Sequence, residues 1–378
     1  MIPKITEFTL PKWYDLHAHF RQDGLLKYIL ADHARMGCAG ILAMPNTKPP
    51  VAKVLESDDT FPDVWSIEKY LSMIQTSGGR IFDQIIVPLY LTRHTTPKMI
   101  EDGARSGLLK AVKYYPPHGT TGADSGYPFA EFLKNGVFSA MQDHNIVLCM
   151  HGEEHGLKGV HYFDAHHSAE KVFYTEHAPR LRDLFPRLKC VAEHLTTKEG
   201  VNFVRQSGEN VGATVTPQHL IYTVGDLLQG LKYHLYCLPL LKFDEDRSAL
   251  QSAVTSANNT QFFAGTDSAP HSKKVTECGC AAGCYTGGIA PQLYAMAFEQ
   301  AGCRLDDPEH QQRFKKFLCY LGAEFYDLPI PKETFALKQI PSTVSGTLTE
   351  QGIIKPLPLG LVDADVATIE WSITDRTA

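Results

Sequence analysis

Residues 13–24 read WYDLHAHFRQDG, a short apolar segment that carries two histidines one residue apart. Side chains on a β-strand alternate between two faces, so His17 and His19 point to the same side and Arg21 keeps their parity. This spacing is typical of a two-histidine metal clamp with a cation beside it. Two polar positions on a surface strand would give the same pattern. The choice between these interpretations depends on what the other strands carry.

Seven similar segments follow the first, each rich in aliphatic, β-branched or aromatic residues. The eight predicted strands are 13–19, 40–46, 84–91, 108–115, 146–152, 189–195, 212–218 and 261–267. Near-continuous apolar runs such as IVLCM suit parallel strands that are buried on both faces. With helix-length gaps between most strands, the pattern predicts an α/β fold, a (β/α)8 TIM barrel over residues 1–340. A doubly wound open sheet is the alternative, but no Gly-x-Gly-x-x-Gly follows the first strand.

Amphipathic segments between the predicted strands indicate the helices. We expect helices at 25–36, 67–75, 130–144 and 198–206, and two more after the eighth strand at 291–301 and 310–321. The last residues are rich in Pro, Thr and Gly. We therefore expect residues 341–378 to form an extension of short strands and loops that packs on the barrel.

The composition is that of a globular protein without a polyanion partner. Of the 378 residues, 43% are hydrophobic and 21% charged, and the net charge is −6. No block of Lys or Arg suggests a nucleic-acid surface, and no apolar run is long enough for a membrane span. Nine cysteines without an export signal suggest reduced thiols. We therefore expect a cytoplasmic protein with no nucleic-acid or membrane partner.

Residues that can bind metals or substrates recur where the predicted strands end. In a TIM barrel these ends lie together at one face, where catalytic side chains gather. The residues, in strand order, are His17 and His19, Asn46, Lys113, His151, His194 and Asp267. Four histidines and one aspartate are enough to hold two divalent ions. The sequence therefore predicts a binuclear metal site.

Lys113 stands out in this set because an ammonium group has only hydrogen-bond donors and cannot bind a metal. Its reaction with carbon dioxide would give a carbamate, an anion whose two oxygens can bridge two cations. A lone lysine is more often a surface or salt-bridged residue. Its position at the end of the fourth strand, among the histidines, favours the carbamate.

In this order the motifs resemble the amidohydrolase superfamily and, more closely, the class II dihydroorotases of pyrimidine biosynthesis. The resemblance covers about residues 13–302. Its motifs are DLHAHFR (15–21), MPNTKPP (44–50), AVKYYP (111–116), MHGE (150–153), EHLTTK (193–198), TPQHL (216–220), CLP (237–239) and GTDSAPH (265–271). Each motif alone is weakly to moderately specific, and the ordered set is highly specific.

The resemblance implies two Zn²⁺ ions per subunit and a homodimer. One ion would be bound by His17, His19, Asp267 and N6-carboxylated Lys113, and the other by His151, His194 and the same carbamate. A hydroxide bridging both ions would attack the ring carbonyl, and Asp267 would act as general base and then general acid. The implied reaction is the reversible cyclisation of N-carbamoyl-L-aspartate to L-dihydroorotate.

The resemblance also implies a set of substrate contacts. Arg21, Asn46 and His271 would bind the substrate carboxylate, and the backbone of Leu238 and of one alanine would contact the ring. An extra alanine in CGCAAGC (278–284) leaves Ala281 and Ala282 as candidates. Thr120 and Thr121, in the Gly- and Pro-rich segment 116–126, would form a lid. An Arg salt bridge, a turn cap at Asn46, a loop cap at His271 and an ordinary exposed loop are the structural alternatives.

Two other functions remain open at this point. Another cyclic-amide hydrolase, of the hydantoinase or allantoinase type, could use the same metal site, although the three carboxylate contacts favour a ring that bears a carboxylate. A non-catalytic relative would typically lack metal ligands, and all six are present here.

Overall fold

The computed structural model describes residues 5–58 and 61–375 and shows a closed barrel of parallel strands. The strands, in barrel order, are Trp13–Ala18, Cys38–Ala43, Gln84–Ile86 with Leu89–Tyr90, Ala111–Tyr114, Val147–Met150, Cys190–Ala192, Val211–Val215 and Phe262–Ala264. The barrel closes at the end of the first strand and just past the last strand, where Ala18 pairs in parallel with Ser268. The backbone N–H of Asp267 donates to His17 at 2.7 Å there, so two segments about 250 residues apart are held together. The predicted TIM-barrel class is confirmed.

The third strand is divided where the sequence predicted one continuous strand over 84–91. Gln84–Ile86 pairs with the second strand and Leu89–Tyr90 with the fourth. Pro88 lies between the two pieces and lacks the backbone N–H that a ladder requires.

Helices surround the barrel. Their bounds are Leu26–Arg35, Ile67–Thr76, Pro97–Ser106, Phe129–Phe132, Val137–Asp143, Ala169–Val172, Ala178–Leu184, Lys198–Gln206, Pro217–Ile221, Val224–Leu228, Asp244–Thr255, Ala290–Gln300, Pro308–Lys315 and Leu321–Phe325. Two π-helical turns, Phe173–His177 and Lys316–Tyr320, join neighbouring helices.

The prediction of one helix over 130–144 was wrong, because the chain forms two helices there. Gly136 between them has φ of 80°, a left-handed conformation that ends helical geometry. The Asn135 side chain accepts a hydrogen bond from the Val137 N–H at 3.1 Å, just before the second helix.

An apolar layer closes one end of the barrel and leaves the polar residues at the other. Leu16, Val191 and Phe263 belong to this layer, together with Leu321 and Ala323 of the helix Leu321–Phe325. The helix approaches closely at Gly322, where an added Cβ would lie 2.3 Å from Leu16 Cδ1. The functional residues are therefore confined to the face formed by the C-terminal ends of the strands.

Short strands connect the two ends of the chain beside the barrel. Thr334–Lys338 pairs antiparallel with both Glu7–Pro11 and Ser372–Asp375. Two further antiparallel pairs are Ser342–Ser345 with Val366–Ile369 and Thr347–Thr349 with Gly352–Ile354. The division between residues 340 and 341 remains a prediction. Within the described part of the chain, no helix has the length and apolar character needed to cross a membrane.

Candidate active site

Three of the predicted site residues have an unusual backbone conformation. Arg21, His194 and Asp267 have φ values of 61°, 40° and 48°. Residues other than glycine rarely adopt such angles, which cost free energy and concentrate at functional sites. The barrel thus holds these side chains at the strand ends in a conformation that local sequence preferences would not choose.

His17, His19 and Asp267 form a buried cluster whose ligand atoms all lie within 4.8 Å of one another. Asp267 Oδ1 lies 3.0 Å from His19 Nε2 and 3.4 Å from His17 Nε2. The Nδ1 atoms of both rings face other acceptors, Glu193 Oε2 at 2.6 Å and Asn46 Oδ1 at 2.8 Å. Both Nε2 atoms therefore converge on one carboxylate oxygen, an arrangement that a shared proton or a metal ion stabilises.

His151 and His194 lie beside this cluster. Their ring centroids are 4.6 Å apart, and the His194 ring centroid is 4.9 Å from that of His17. Lys113 is fully buried, and its Nζ lies 5.0 Å from the centre of the Tyr115 ring. Among the described residues, Lys113 Nζ and His194 Nδ1 have no hydrogen-bond partner. Two buried nitrogens without partners indicate that this site binds a further group.

The electrostatics of the site favour neutral nitrogens at three of its four histidines. Burial lowers the pKa of the fourth, His17, but its contacts with Glu193 and Asp267 together outweigh burial and raise it. Burial lowers the pKa of His19 to about 4 and also lowers the pKa values of His151 and His194. Burial likewise lowers the pKa of Lys113, which makes its neutral amine more accessible. Burial alone would raise the pKa of Asp267, but its contacts with His17 and His19 outweigh burial and hold it well below its usual range. Neutral imidazoles and an ionised carboxylate are the forms that bind metals.

Two carboxylates that sequence reasoning missed support the histidines from behind. Glu193 accepts from His17 Nδ1 and, at 2.6 Å, from the Thr214 hydroxyl. Glu153 Oε2 lies 2.7 Å from His151 Nε2. Metal-binding histidines commonly donate their second N–H to a carboxylate, which fixes the ring and its tautomer. The glutamates of the MHGE and EHLTTK motifs were therefore a signal available in the sequence.

We expect Glu193→Gln to weaken metal binding by roughly tenfold to a hundredfold, because the neutral amide holds the His17 ring less firmly. Metal titration of the variant after chelation measures this affinity directly. Glu209→Gln, an exposed position, is the matched control and should leave the affinity unchanged. Equal affinities in all three proteins would contradict a supporting role for Glu193.

The three residues predicted to bind the substrate carboxylate lie together at the edge of the histidine–aspartate cluster. Arg21 Nη2 lies 3.3 Å from His271 Nε2, which also lies 2.8 Å from the Ala282 carbonyl oxygen. Asn46 donates through Nδ2 to the Thr121 carbonyl oxygen at 2.8 Å. Burial, followed by the positive charges of Arg21 and Lys274, lowers the pKa of His271 to about 3. His271 is therefore a neutral hydrogen-bonding group beside the Arg21 cation.

One cavity brings most of the predicted residues together. Its lining contains His17, His19, Arg21, Asn46, Thr120, Thr121, His151, His194, Leu238, Asp267 and Ala282. Tyr115, Ala269 and Gly283 also line it and were not predicted. The volume is about 10 Å³, which is room for about one water molecule.

The remaining predicted residues lie just outside that lining. Lys113 is buried beneath Tyr115, and His271 lines an adjoining outer cavity. The backbone of Ala281 pairs with Lys274, so Ala282 is the alanine that faces the inner cavity. His219 ties the end of the seventh strand to the Leu238 segment through the Pro239 carbonyl at 3.1 Å, a structural contact.

No protein-family model matches this chain. A dihydroorotase of Picosynechococcus sp. is 40% identical over 346 residues, covering 90% of this chain and 92% of that protein. A dihydroorotase of Acaryochloris marina is 39% identical over 378 residues, covering 98% of this chain and 99% of that protein.

Solved structures share the fold. A dihydroorotase from Campylobacter jejuni matches with a TM-score of 0.80 and 26% identity, over 99% of both chains. A dihydroorotase from Saccharomyces cerevisiae, in complex with 5-fluoroorotic acid, has a TM-score of 0.82 at 24% identity over 98% of this chain and 99% of that chain. An L-hydantoinase from Arthrobacter aurescens has a TM-score of 0.71 at 15% identity, over 98% of this chain and 85% of that chain, and shares the fold alone. Sequence identity of about 40% over nearly the whole length of both chains shows that this chain belongs to the dihydroorotase family of cyclic-amide hydrolases.

Proposed function

We propose that this protein catalyses the reversible cyclisation of N-carbamoyl-L-aspartate to L-dihydroorotate with two bound Zn²⁺ ions. The observation that carries the proposal is one cavity lined by four histidines, Asp267 and Arg21 at the C-terminal face of the barrel. The cavity contains polar atoms that could bind a metal. Beside them lies an arginine that could bind a carboxylate. Hydrolysis of a ring amide that bears a carboxylate needs both.

The residues present fit a binuclear metal site. His17, His19 and Asp267 would hold one ion, and His151 and His194 the other. Lys113, as a carbamate, would contribute oxygen ligands to both ions. The carbamate would also account for its buried Nζ, which has no hydrogen-bond partner among the described residues. Imidazole and oxygen ligands suit zinc. Bound metal supplies a Lewis acid for the ring carbonyl and lowers the pKa of water.

Asp267 is the group that moves the proton. It is a carboxylate near neutrality, the form that can accept a proton as a general base. In ring opening it takes the proton of the attacking water and delivers it to the ring nitrogen as the C–N bond breaks. Ring closure runs through the same carboxyl group in reverse.

Arg21, Asn46 and His271 orient the substrate carboxylate. A guanidinium matches a carboxylate with two parallel hydrogen bonds. Neutral His271 has a single N–H, which faces the Ala282 carbonyl oxygen, so a substrate carboxylate competes with that carbonyl for it. Asn46 Nδ2 already donates to Thr121, so an incoming carboxylate competes with the loop for this donor. Substrate binding is thereby coupled to the position of the Thr120–Thr121 segment.

The segment 116–126 acts as a lid in this proposal. Room for about one water does not admit a six-membered ring with a carboxylate, so the segment must move when substrate enters. The segment packs closely against Asn46. A Cβ added at Gly122, whose φ is 75°, would lie 2.9 Å from the Asn46 backbone oxygen. The closed segment then excludes water from the reacting bond.

Replacing Thr120 and Thr121 together by alanine should lower kcat/KM about tenfold to a hundredfold, because the closed lid loses hydrogen bonds to substrate. Steady-state kinetics in both directions measure the effect. A double serine variant, which keeps both hydroxyl groups, should remain close to the parent. Unchanged turnover and affinity in the alanine variant would show that the segment is an ordinary loop.

Turnover with purified, metal-quantified protein tests the function itself. Loss of dihydroorotate absorbance, with no turnover of hydantoin or allantoin, is the expected result. Turnover of hydantoin or allantoin but not dihydroorotate would keep the barrel chemistry and replace the proposed substrate. A metal-free preparation that stays inactive after reconstitution would support a non-catalytic relative.

The product ratio should depend on pH, because ring opening creates a new carboxylate and releases a proton near neutrality. Acid therefore favours N-carbamoyl-L-aspartate cyclisation, and alkali favours hydrolysis. Equilibrium mixtures at about pH 6 and about pH 9, analysed by chromatography, check this sign. Equal ratios at the two pH values would contradict the proposed reaction.

A cytoplasmic homodimer is part of the proposal. Nine free cysteines suit a reducing compartment. Family resemblance implies the dimer, and sedimentation velocity measures it.

A further inference from the structure

A second, wider cavity of about 320 Å³ adjoins the inner cavity. Arg21, Asn46 and Thr121 line both, so the two cavities meet at these side chains. His271 lines the outer cavity only. A molecule that reaches Arg21 from this side passes through the outer cavity, which we call the vestibule.

The vestibule carries positive charge beyond that of Arg21. Lys48 lies two residues after Asn46, and Lys273 lies two residues after His271. Both lysines are exposed and line the vestibule. Among the described residues that line it, three are cations and none is a carboxylate. Lys27 and Glu350, near Gly24, form an ion pair with 2.9 Å between Nζ and Oε1, so their charges cancel.

The position of Lys48 is set by Gln22. The Gln22 side chain donates to the Lys48 carbonyl oxygen at 3.1 Å and accepts from the Lys48 N–H at 3.4 Å. This two-way contact connects the segment after Arg21 to the segment after Asn46. The backbone of Lys48 is thereby held at the rim of the cavity that leads to the proposed carboxylate contacts.

We propose that Lys48 and Lys273 recruit the open-chain substrate into the site as a dianion. This inference rests on the proposed function and adds a specificity step to it. N-carbamoyl-L-aspartate carries two carboxylates and L-dihydroorotate one, so two added cations attract the open-chain compound more strongly. The protein as a whole has a net charge of −6, so local positive charge is what lets an anion approach.

The equilibrium constant of the reaction restricts how this recruitment can be observed. It fixes the ratio of the kcat/KM values in the two directions, so any substitution changes both by the same factor. The charge preference must therefore be read from the separate binding constants. Loss of the lysines should raise KM for N-carbamoyl-L-aspartate more than KM for L-dihydroorotate.

The test is the double variant Lys48→Glu/Lys273→Glu, assayed in both directions at about 20 mM and about 500 mM salt. At low salt we expect kcat/KM to fall roughly tenfold in each direction, with the larger rise in KM for the dianion. High salt should reduce the difference from the parent to about twofold, because it screens exposed charges. Lys110→Glu/Lys332→Glu is the matched control. It makes the same charge change at two exposed lysines outside both cavities, Lys110 at the opposite end of the barrel.

Each outcome decides the inference. An equal loss in the control variant would show an effect of net charge and would overturn it. Kinetics of the test variant that match an active parent at low salt would overturn it and leave the proposed function standing. A metal-loaded parent that neither turns over nor binds N-carbamoyl-L-aspartate by calorimetry would overturn both.

Discussion

We expect the replacement of Lys113 by methionine to abolish turnover of L-dihydroorotate and to remove bound metal. Methionine keeps most of the volume of the buried side chain but has no amine that can become a carbamate. We expect kcat/KM to fall at least about a thousandfold, since several kcal/mol of metal-supplied stabilisation are lost. Spectrophotometric assay and elemental analysis of the same preparation measure both losses. Parent protein should contain close to two metal ions per chain.

The neighbouring Lys110→Met is the matched control. Lys110 is exposed and precedes the strand Ala111–Tyr114, at the end of the barrel opposite the proposed site. The activity and metal content of the Lys110→Met protein should therefore stay at the parental level. Thermal unfolding separates a lost ligand from a lost fold. A stable Lys113→Met protein that retains two metals and full turnover would exclude the carbamate.

The second large effect is expected for Asp267→Asn. The amide has nearly the shape of the carboxylate but cannot accept and return a proton. We expect kcat to fall about a hundredfold to ten-thousandfold, the range of general acid–base catalysis. Steady-state kinetics over a range of pH, together with metal analysis, provide the measurement.

Two comparisons make this result specific to Asp267. Asp183→Asn makes the same chemical change on an exposed side chain of the helix Ala178–Leu184, outside both cavities, and the kcat of that variant should not change. Metal analysis then distinguishes a lost ligand from a lost proton carrier. Parental kcat in an Asp267→Asn protein with its metals bound would assign the proton transfer to another group.

Much of the barrel could be predicted because its signals are local. A parallel strand buried on both faces must be apolar along its length, so each barrel strand can be recognised in isolation. The errors occurred where one residue changes the backbone, at Pro88 in the third strand and at Gly136 between two helices. The apolar pattern of the side chains continues through both positions and does not reveal the break.

The site could be predicted in part for a related reason. His17, His19, His151, His194 and Asp267 were found because residues at strand ends of a barrel share one face. The partners behind them were not found from spacing. Glu193 contacts His17 across 176 positions of sequence, and the Asn46 amide contacts Thr121 across 75. Such contacts depend on how the strands are positioned relative to one another, and sequence spacing does not specify those positions.

The sequence by itself determined the fold class, the order of the strands and the residue types at their ends, because periodicity and side-chain chemistry are local properties. Only the tertiary structure decided which ring nitrogens face Asp267, that Lys113 is buried beside Tyr115, and that Lys48 and Lys273 line one vestibule. Barrel closure brings the first and last strands together and so sets the distances between residues at their ends. The physical reason is that hydrogen bonds and charges act over a few ångströms in space, whatever their separation along the chain.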